Sequence, residues 1–148
     1  MSTPVVIRLD QRVPLKAVQR VALGETVEVE AAVYERMDQR RGQVVDYIRD
    51  TGQPAYGFNR GFGGNVDIPV PPDQLKQLQV NLIRSHASGM GDPAPIPVVR
   101  AAMFLRAVSL VQGHSGVRSR IVKAIIDQLN HHITPLVPCF GSVGASGD

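Results

Sequence analysis

The sequence predicts a mainly α fold, in which a small mixed α/β segment at the N-terminus precedes long antiparallel helices. Three observations support this fold class. Short stretches of alternating apolar residues occur near the start of the chain, apolar residues then recur every three or four positions, and clusters of glycine and proline separate the periodic segments. The chain has 148 residues, of which 43% are hydrophobic and 20% charged, so it is long enough to bury a core.

Residues 1–52 form the first predicted segment, which begins as a small α/β arrangement. Residues 5–9 form a mostly apolar run that predicts a short strand, and residues 27–30 alternate in the manner of a second strand. Residues 15–23 predict a short helix, which Gly24 ends because glycine tolerates the left-handed backbone found after helices.

The same segment closes with the first long helix, predicted over residues 31–50 and ended by Gly52. Its charged side chains lie outside the apolar face of the predicted helix. The residues of that face are Val33, Met37, Val44 and Ile48.

The second predicted segment, residues 53–72, is too rich in glycine and proline to form a helix. It also carries aromatic residues between its glycines. Such a loop is either a lid over a site or a long connector, and loops of this length in compact domains are uncommon without a function.

The third predicted segment, residues 73–148, is helical and ends in a glycine-rich loop. Its first helix spans residues 73–87, where Leu75, Leu78, Leu82 and His86 recur at steps of three and four. This spacing predicts that His86 lies on the stripe facing the core. Taken by position alone, such a histidine is more often a packed core residue than a functional group.

Two further helices follow in this segment. Residues 97–111 predict one helix, opened by its proline and ended by Gly113, and Ser115 is the predicted N-cap of the next. Both are apolar on one side and joined by a short turn, which predicts an antiparallel pair. Residues 130–138 form the linker to the terminal loop.

Composition excludes several classes of function. The net charge of +3 is spread along the chain, so we expect no nucleic acid partner. No apolar run is long enough to cross a membrane. Cys139 is the single cysteine, and His131 and His132 are adjacent, so we expect no metal site and no internal disulfide. With no signal peptide in view, we expect a cytoplasmic protein.

The last residues carry the most unusual chemistry in the sequence. If the Gly147 amide nitrogen attacks the Ala145 carbonyl and two waters leave, Ser146 becomes a methylidene group on a five-membered ring. Glycines around the tripeptide tolerate the strained backbone that this step requires. The stretch is otherwise a flexible loop, an anion-binding nest, or a serine nucleophile at Ser146 with no supporting motif. Because the chain stops inside this turn, we expect a fragment or one piece of a cleaved chain.

Three separated patterns together resemble one family. They are Tyr56-Gly57-Phe58-Asn59-Arg60-Gly61-Phe62-Gly63, Asn81-Leu82-Ile83-Arg84-Ser85-His86-Ala87-Ser88-Gly89-Met90-Gly91, and Gly141-Ser142-Val143-Gly144-Ala145-Ser146-Gly147-Asp148. In order and spacing the chain resembles the N-terminal part of an aromatic amino acid ammonia-lyase, and it is most similar to the histidine ammonia-lyases of that family. The resemblance implies an ammonia-lyase-like helical bundle.

The resemblance also implies an enzyme of amino acid catabolism with a protein-derived electrophile. Ala145, Ser146 and Gly147 would form the methylidene-imidazolone group, with no external cofactor. Tyr56 matches the family's catalytic base, and a phenol needs nearby positive dipoles to act as a base near neutral pH. His86 matches the position that contacts the substrate side chain. Family members are homotetramers whose active sites are shared between subunits.

Two loop residues complete the expected substrate site, Gly63 and Arg60. The family usually has threonine where this chain has Arg60. A guanidinium there could bind a substrate carboxylate with two hydrogen bonds or face water. The Ser85-His86 pair resembles histidine-using and some tyrosine-using members, which leaves the substrate open between histidine-like and tyrosine-like amino acids, and the departure at Arg60 argues against histidine itself. The motifs are also compatible with a 2,3-aminomutase that uses the same electrophile, and with a homologue without catalysis.

Overall fold

The computed structural model describes residues 3–141 of the chain. These residues belong to two compact units. The first unit consists of Met1–Val44 and Pro93–Val137, and the second of Val45–Asp92 and Pro138–Asp148. The predicted mainly α fold class is confirmed, since the described elements are five α-helices, two 3₁₀ turns and four short strands.

The first unit begins with two parallel strands around a short helix. Strand β1 (Val5–Ile7) pairs with β2 (Val27–Val29), and α1 (Leu15–Ala22) connects them. Gly24 has a φ of 110° and donates its N–H to the Val21 carbonyl at 3.1 Å, which ends the helix. The N-terminal α/β arrangement is therefore as predicted.

The first long helix, α2, spans Ala31–Thr51. Val33 and Met37 on its predicted apolar face are buried, at 1% exposure each. Gly52 has a φ of 63°, and its N–H bonds to the Ile48 carbonyl at 2.9 Å. The predicted glycine C-cap is confirmed.

Helices α4 (Ile96–Leu110) and α5 (Ser119–Asn130) run antiparallel. Arg100, in the first turns of α4, donates to the Leu129 carbonyl at the end of α5 at 3.0 Å. The predicted antiparallel pair is confirmed. The buried apolar residues of this unit form one cluster: Val5, Ile7, Ala17, Val21, Val27, Val33, Met37, Phe104, Ala107, Leu110, Val111, Val122, Ile126 and Leu129.

The side chains of Arg100 and Asn130 connect elements that are distant in sequence. The Arg100 guanidinium, 3% exposed, also donates to the Val21 carbonyl at 2.9 Å, so it satisfies the carboxyl ends of two helices. Burial lowers the pKa of this guanidinium. The Asn130 amide accepts from the Val27 N–H and donates to the Val27 carbonyl, at 2.8 and 2.9 Å.

The predicted N-cap at Ser115 is wrong, because α5 begins four positions later, at Ser119. Asp38 of α2 provides the cap instead. Its carboxylate accepts the Ser119 hydroxyl at 2.6 Å and the Ser119 N–H at 3.0 Å. These two hydrogen bonds favour the ionised form and lower the pKa of Asp38.

In the second unit, a 3₁₀ turn (Pro72–Gln74) leads into α3 (Leu75–His86). The helix is as predicted, but its core-facing stripe is not. Leu78 and Leu82 are half-buried, and His86 is exposed. Periodicity identifies one face of the helix, but the described residues of this unit provide too little apolar surface to bury it.

The unit also contains two short strands that the sequence does not predict. Strand β3 (Met90–Pro93) pairs with β4 (Pro138–Phe140). Residues 138–140 are a strand here, and not the linker and terminal loop expected of them. The Phe140 ring lies so close to Gly91 that a Cβ there would stand 2.5 Å from it, which explains why this strand carries glycine.

Within residues 3–141, no helix combines the length and apolar character required to cross a membrane.

Candidate active site

Tyr56 lies in the loop of the second unit and contacts the turn that follows it. Its phenolic oxygen accepts the Gly63 N–H at 3.2 Å. The Phe62 ring meets the Tyr56 ring edge to face, with centroids 5.5 Å apart and an angle of 85°. Tyr56 is nevertheless 60% exposed. The loop thus orients an accessible phenol with one backbone donor directed at its oxygen.

A compact turn positions that donor. Residues Gly63–Asn65 form a 3₁₀ turn, closed by the Asn65 N–H to the Phe62 carbonyl at 3.0 Å. The Gly61 N–H bonds to the Ile68 carbonyl at 3.1 Å. The predicted loop is therefore an internally hydrogen-bonded structure in this region.

Asn59 holds the segment that precedes Tyr56. Its side-chain oxygen accepts the Ala55 N–H at 2.8 Å, and its amide nitrogen donates to the Gln53 carbonyl at 2.9 Å. Asn59 is not among the site residues predicted from the sequence. The tendency of asparagine to bond to nearby backbone in turns is the signal that could have identified it.

A cleft of about 280 Å³ separates the loop from α3. The loop contributes Gly61, Phe62 and Asn65 to its walls. Helix α3 contributes Leu78, Asn81, Leu82, Ser85 and His86. The structure thus places His86 and Phe62 around the same space, although they are far apart in sequence, while Tyr56, Arg60 and Gly63 are not among the residues that line it.

His86 is hydrogen-bonded within the helix that carries it. Its Nδ1 lies 2.9 Å from the Leu82 carbonyl oxygen and 2.9 Å from the Ser85 hydroxyl, which itself donates to the Leu82 carbonyl at 2.9 Å. These contacts hold the imidazole ring at the wall of the cleft.

Arg60 adjoins the turn but is partly engaged within the loop. Its Nη1 donates to the Asp67 carbonyl at 3.2 Å, and its backbone forms an antiparallel bridge with Pro69. A guanidinium has five N–H donors, so one contact leaves capacity for an anion.

The tripeptide Ala145-Ser146-Gly147 lies outside the residues that the structure describes. Among residues 3–141, no group of histidine, cysteine and carboxylate side chains is arranged to hold a metal ion.

Comparison with known proteins places this site in a family context. A histidine ammonia-lyase from Deinococcus radiodurans is 50% identical over 125 residues, which are 84% of this chain and 24% of that protein. The structure of tyrosine aminomutase from Streptomyces globisporus superimposes with a TM-score of 0.84 at 33% identity, covering 95% of this chain and 26% of that one. Phenylalanine aminomutase from Pantoea agglomerans gives a TM-score of 0.88 at 29% identity, covering 97% and 28%.

The chain spans about a quarter of the length of these relatives. A family described as aromatic amino acid lyase matches residues 13–148, which include all three motifs of the sequence analysis. This match covers far more than half of the chain, and the loop, the cleft and the helix carrying His86 all fall within it. The resemblance inferred from the motifs is confirmed, and the chain belongs to the aromatic amino acid lyase family.

Proposed function

We propose that the protein containing this chain is an ammonia-lyase that converts an aromatic or heteroaromatic L-amino acid to the corresponding acrylate and ammonia. The observation that carries the proposal is the accessible Tyr56 phenol, which accepts the Gly63 N–H and packs edge to face on Phe62, a residue that lines the same cleft as His86. Membership of the aromatic amino acid lyase family supports it.

Elimination of ammonia presents two chemical problems, a weakly acidic β-proton and a poor leaving group. For the second, the sequence Ala145-Ser146-Gly147 fits the precursor of a methylidene-imidazolone group. Ser146 supplies the hydroxyl that is lost, and Gly147 supplies an unhindered amide nitrogen. Once formed, the group would supply an electrophile for the substrate amine.

Tyr56 addresses the first problem in this proposal. Its phenolate accepts the β-proton. Before that transfer, the Gly63 N–H stabilises the negative charge on the phenolate oxygen. Gly63 therefore acts on the base, in place of the substrate contact expected from the resemblance. Its exposed position is compatible with both roles.

His86 contacts the substrate side chain in this proposal. An imidazole ring can donate or accept a hydrogen bond, so His86 can interact with a phenol or an imidazole on the substrate, whereas a phenyl ring at this position cannot. His86→Phe should therefore shift preference toward phenylalanine, measured as a ratio of kcat/KM values. An unchanged ratio together with a large loss of stability would assign His86 to packing.

Arg60 is proposed to bind the substrate carboxylate with the N–H groups not used by Asp67. Arg60→Ala should raise KM, and Arg60→Lys should recover part of the loss because it keeps the charge but not the planar fork. Equal KM values in the wild type, Arg60→Ala and Arg60→Lys would show that Arg60 does not bind the carboxylate and makes only its contact within the loop.

The second candidate is a 2,3-aminomutase that returns ammonia to the β-carbon. The close superposition on two aminomutases favours keeping it. Product analysis separates the two reactions: acrylate and ammonia alone indicate the lyase, and a β-amino acid indicates the mutase.

We further propose that the protein is a cytoplasmic homotetramer with active sites shared between subunits. The support is the family membership and the open cleft of the second unit, which the described residues do not close. Analytical ultracentrifugation of the full-length protein would test the tetramer.

The decisive experiment is the intact mass of the full-length protein together with its turnover of histidine, tyrosine and phenylalanine. Cyclisation removes two waters, about 36 Da, and should add a near-ultraviolet absorption band. An unshifted mass and no activity on the three amino acids would favour the homologue without catalysis.

A further inference from the structure

Gly61 is the one buried residue that the structure describes in the second unit. A Cβ added at this position would stand 2.4 Å from the Asn65 carbonyl oxygen, 2.9 Å from the Asn65 Cβ and 3.1 Å from the Asn65 carbonyl carbon. Two of these three atoms belong to the backbone. A side chain at position 61 therefore cannot be accommodated by a rotamer change, and the backbone of the turn must move.

A side chain at position 61 would displace the Asn65 carbonyl, which is linked to Gly61 through two backbone hydrogen bonds of Ile68. The Asn65 carbonyl accepts the Ile68 N–H at 3.0 Å, and the Ile68 carbonyl accepts the Gly61 N–H at 3.1 Å. Displacing Asn65 thus breaks hydrogen bonds that close the loop. The same 3₁₀ turn contains Gly63, whose N–H reaches Tyr56.

We propose that Gly61 is a positioning residue for the reaction, because its missing side chain lets the Gly63–Asn65 turn close and present the Gly63 N–H and the Phe62 ring to Tyr56. The inference rests on the proposed role of Tyr56 as base. It assigns to Gly61 a role that the family motifs do not give it, and this role acts through Tyr56, although Gly61 also lines the cleft.

Gly64 provides a matched control within the same turn. No atom lies within 4 Å of a Cβ placed there, and its backbone is outside the left-handed region. Gly61→Ala and Gly64→Ala introduce the same methyl group three residues apart. The first meets backbone, and the second meets open space.

The test compares both variants with the wild-type full-length protein. Gly61→Ala should lower kcat by about tenfold to a hundredfold with little change in KM, since misplacing a catalytic group by about 1 Å has an effect of this size. Gly64→Ala should retain the wild-type kcat. Intact mass should show the loss of two waters in all three proteins, because residues 145–147 are unchanged.

A double-mutant cycle shows whether Gly61 acts through the phenol. In the Tyr56→Phe background, Gly61→Ala should add little further loss, because the oxygen that Gly63 contacts is already gone. If Gly61→Ala does not accumulate as soluble protein, Phe62→Leu removes the ring contact with Tyr56 without entering the backbone. It should lower kcat in the wild-type background and add little further loss in the Tyr56→Phe background.

Three results would overturn the inference: wild-type kcat in Gly61→Ala, an equal loss in Gly64→Ala, or full additivity with Tyr56→Phe. Wild-type kcat in Phe62→Leu would overturn it where that variant replaces Gly61→Ala. Failure of the proposed function gives a different pattern, because the wild-type protein itself would then be inactive.

Discussion

The two units of the chain are stabilised in different ways. The first unit buries a continuous apolar cluster that includes Phe104, Val122 and Leu129, all fully inaccessible. The second unit has one buried residue among those described, Gly61, and is held by backbone and asparagine hydrogen bonds. The proposed site residues Tyr56, Gly63 and His86 all lie in the second unit. If the proposed site is correct, the chain separates the part that supplies stability from the part that carries the chemistry.

The largest expected effect follows from Ser146→Ala. The variant should lose turnover entirely, since it lacks the hydroxyl that leaves as water during cyclisation. Thermal unfolding should be unchanged, because the core of the first unit is not touched. The measurements are kcat, intact mass and melting temperature of the full-length protein.

Ser142→Ala is the matched control, since it removes a hydroxyl from the same glycine-rich stretch but outside the tripeptide. It should keep both the mass deficit and the activity. Turnover by Ser146→Ala at the wild-type rate would contradict the proposed electrophile.

Phe104→Ala should have the largest effect on stability. The side chain is 0% exposed, and removing a buried phenylalanine side chain costs about 3–5 kcal/mol through lost burial and the cavity left behind. Thermal unfolding is the measurement.

Ile83→Ala in α3 is the comparison from the second unit, where the side chain is 71% exposed. Its effect should stay within about 0.5 kcal/mol. A loss as large as that of Phe104→Ala would show that α3 is buried by contacts beyond residues 3–141, and the contrast between the units would then be a property of this stretch of chain alone.

Tyr56→Phe tests the chemistry assigned to the second unit. If the phenol is the base, kcat should fall by about a hundredfold or more, with the melting temperature unchanged because the hydroxyl makes one exposed contact. Steady-state kinetics provide the comparison.

Tyr47→Phe serves as the control, since Tyr47 is also 60% exposed but lies on α2. It should retain wild-type kcat. A near-normal rate in Tyr56→Phe would remove this residue from the proposed mechanism.

The local sequence pattern is enough to predict the helices and to recognise the family motifs. The contacts that fix helix ends, burial and loop geometry depend on residues distant in sequence. The predicted start of α5 is misplaced because Asp38, 81 positions before Ser119, provides its cap. The exposure of His86 could not be predicted, because periodicity identifies the apolar face of α3 but does not show whether other residues pack against that face. Gly61 can be seen as a loop glycine, whereas its close approach to Asn65 appears only when the turn is closed.

The smallest expected effect concerns the cap that joins two helices of the first unit. Asp38→Ala should destabilise the protein by about 1 kcal/mol, as removal of an N-cap carboxylate does. Asp46→Ala is the control from the second unit, where the carboxylate is 58% exposed and pairs with Arg49 along the same helix; it should cost less than about 0.5 kcal/mol.

The effect of Asp38→Ala should also depend on pH in one direction. Hydrogen bonds from the Ser119 hydroxyl, and then from its N–H, lower the pKa of Asp38 in the folded protein. The stabilisation is therefore complete above the unfolded pKa of about 4 and is lost as the pH falls through the lower folded value. The difference in melting temperature between wild type and Asp38→Ala should be constant from neutral pH to about pH 5 and shrink below pH 4. A difference that grows on acidification would mean that Asp38 stabilises α5 in its protonated form, which the two donors of Ser119 do not favour.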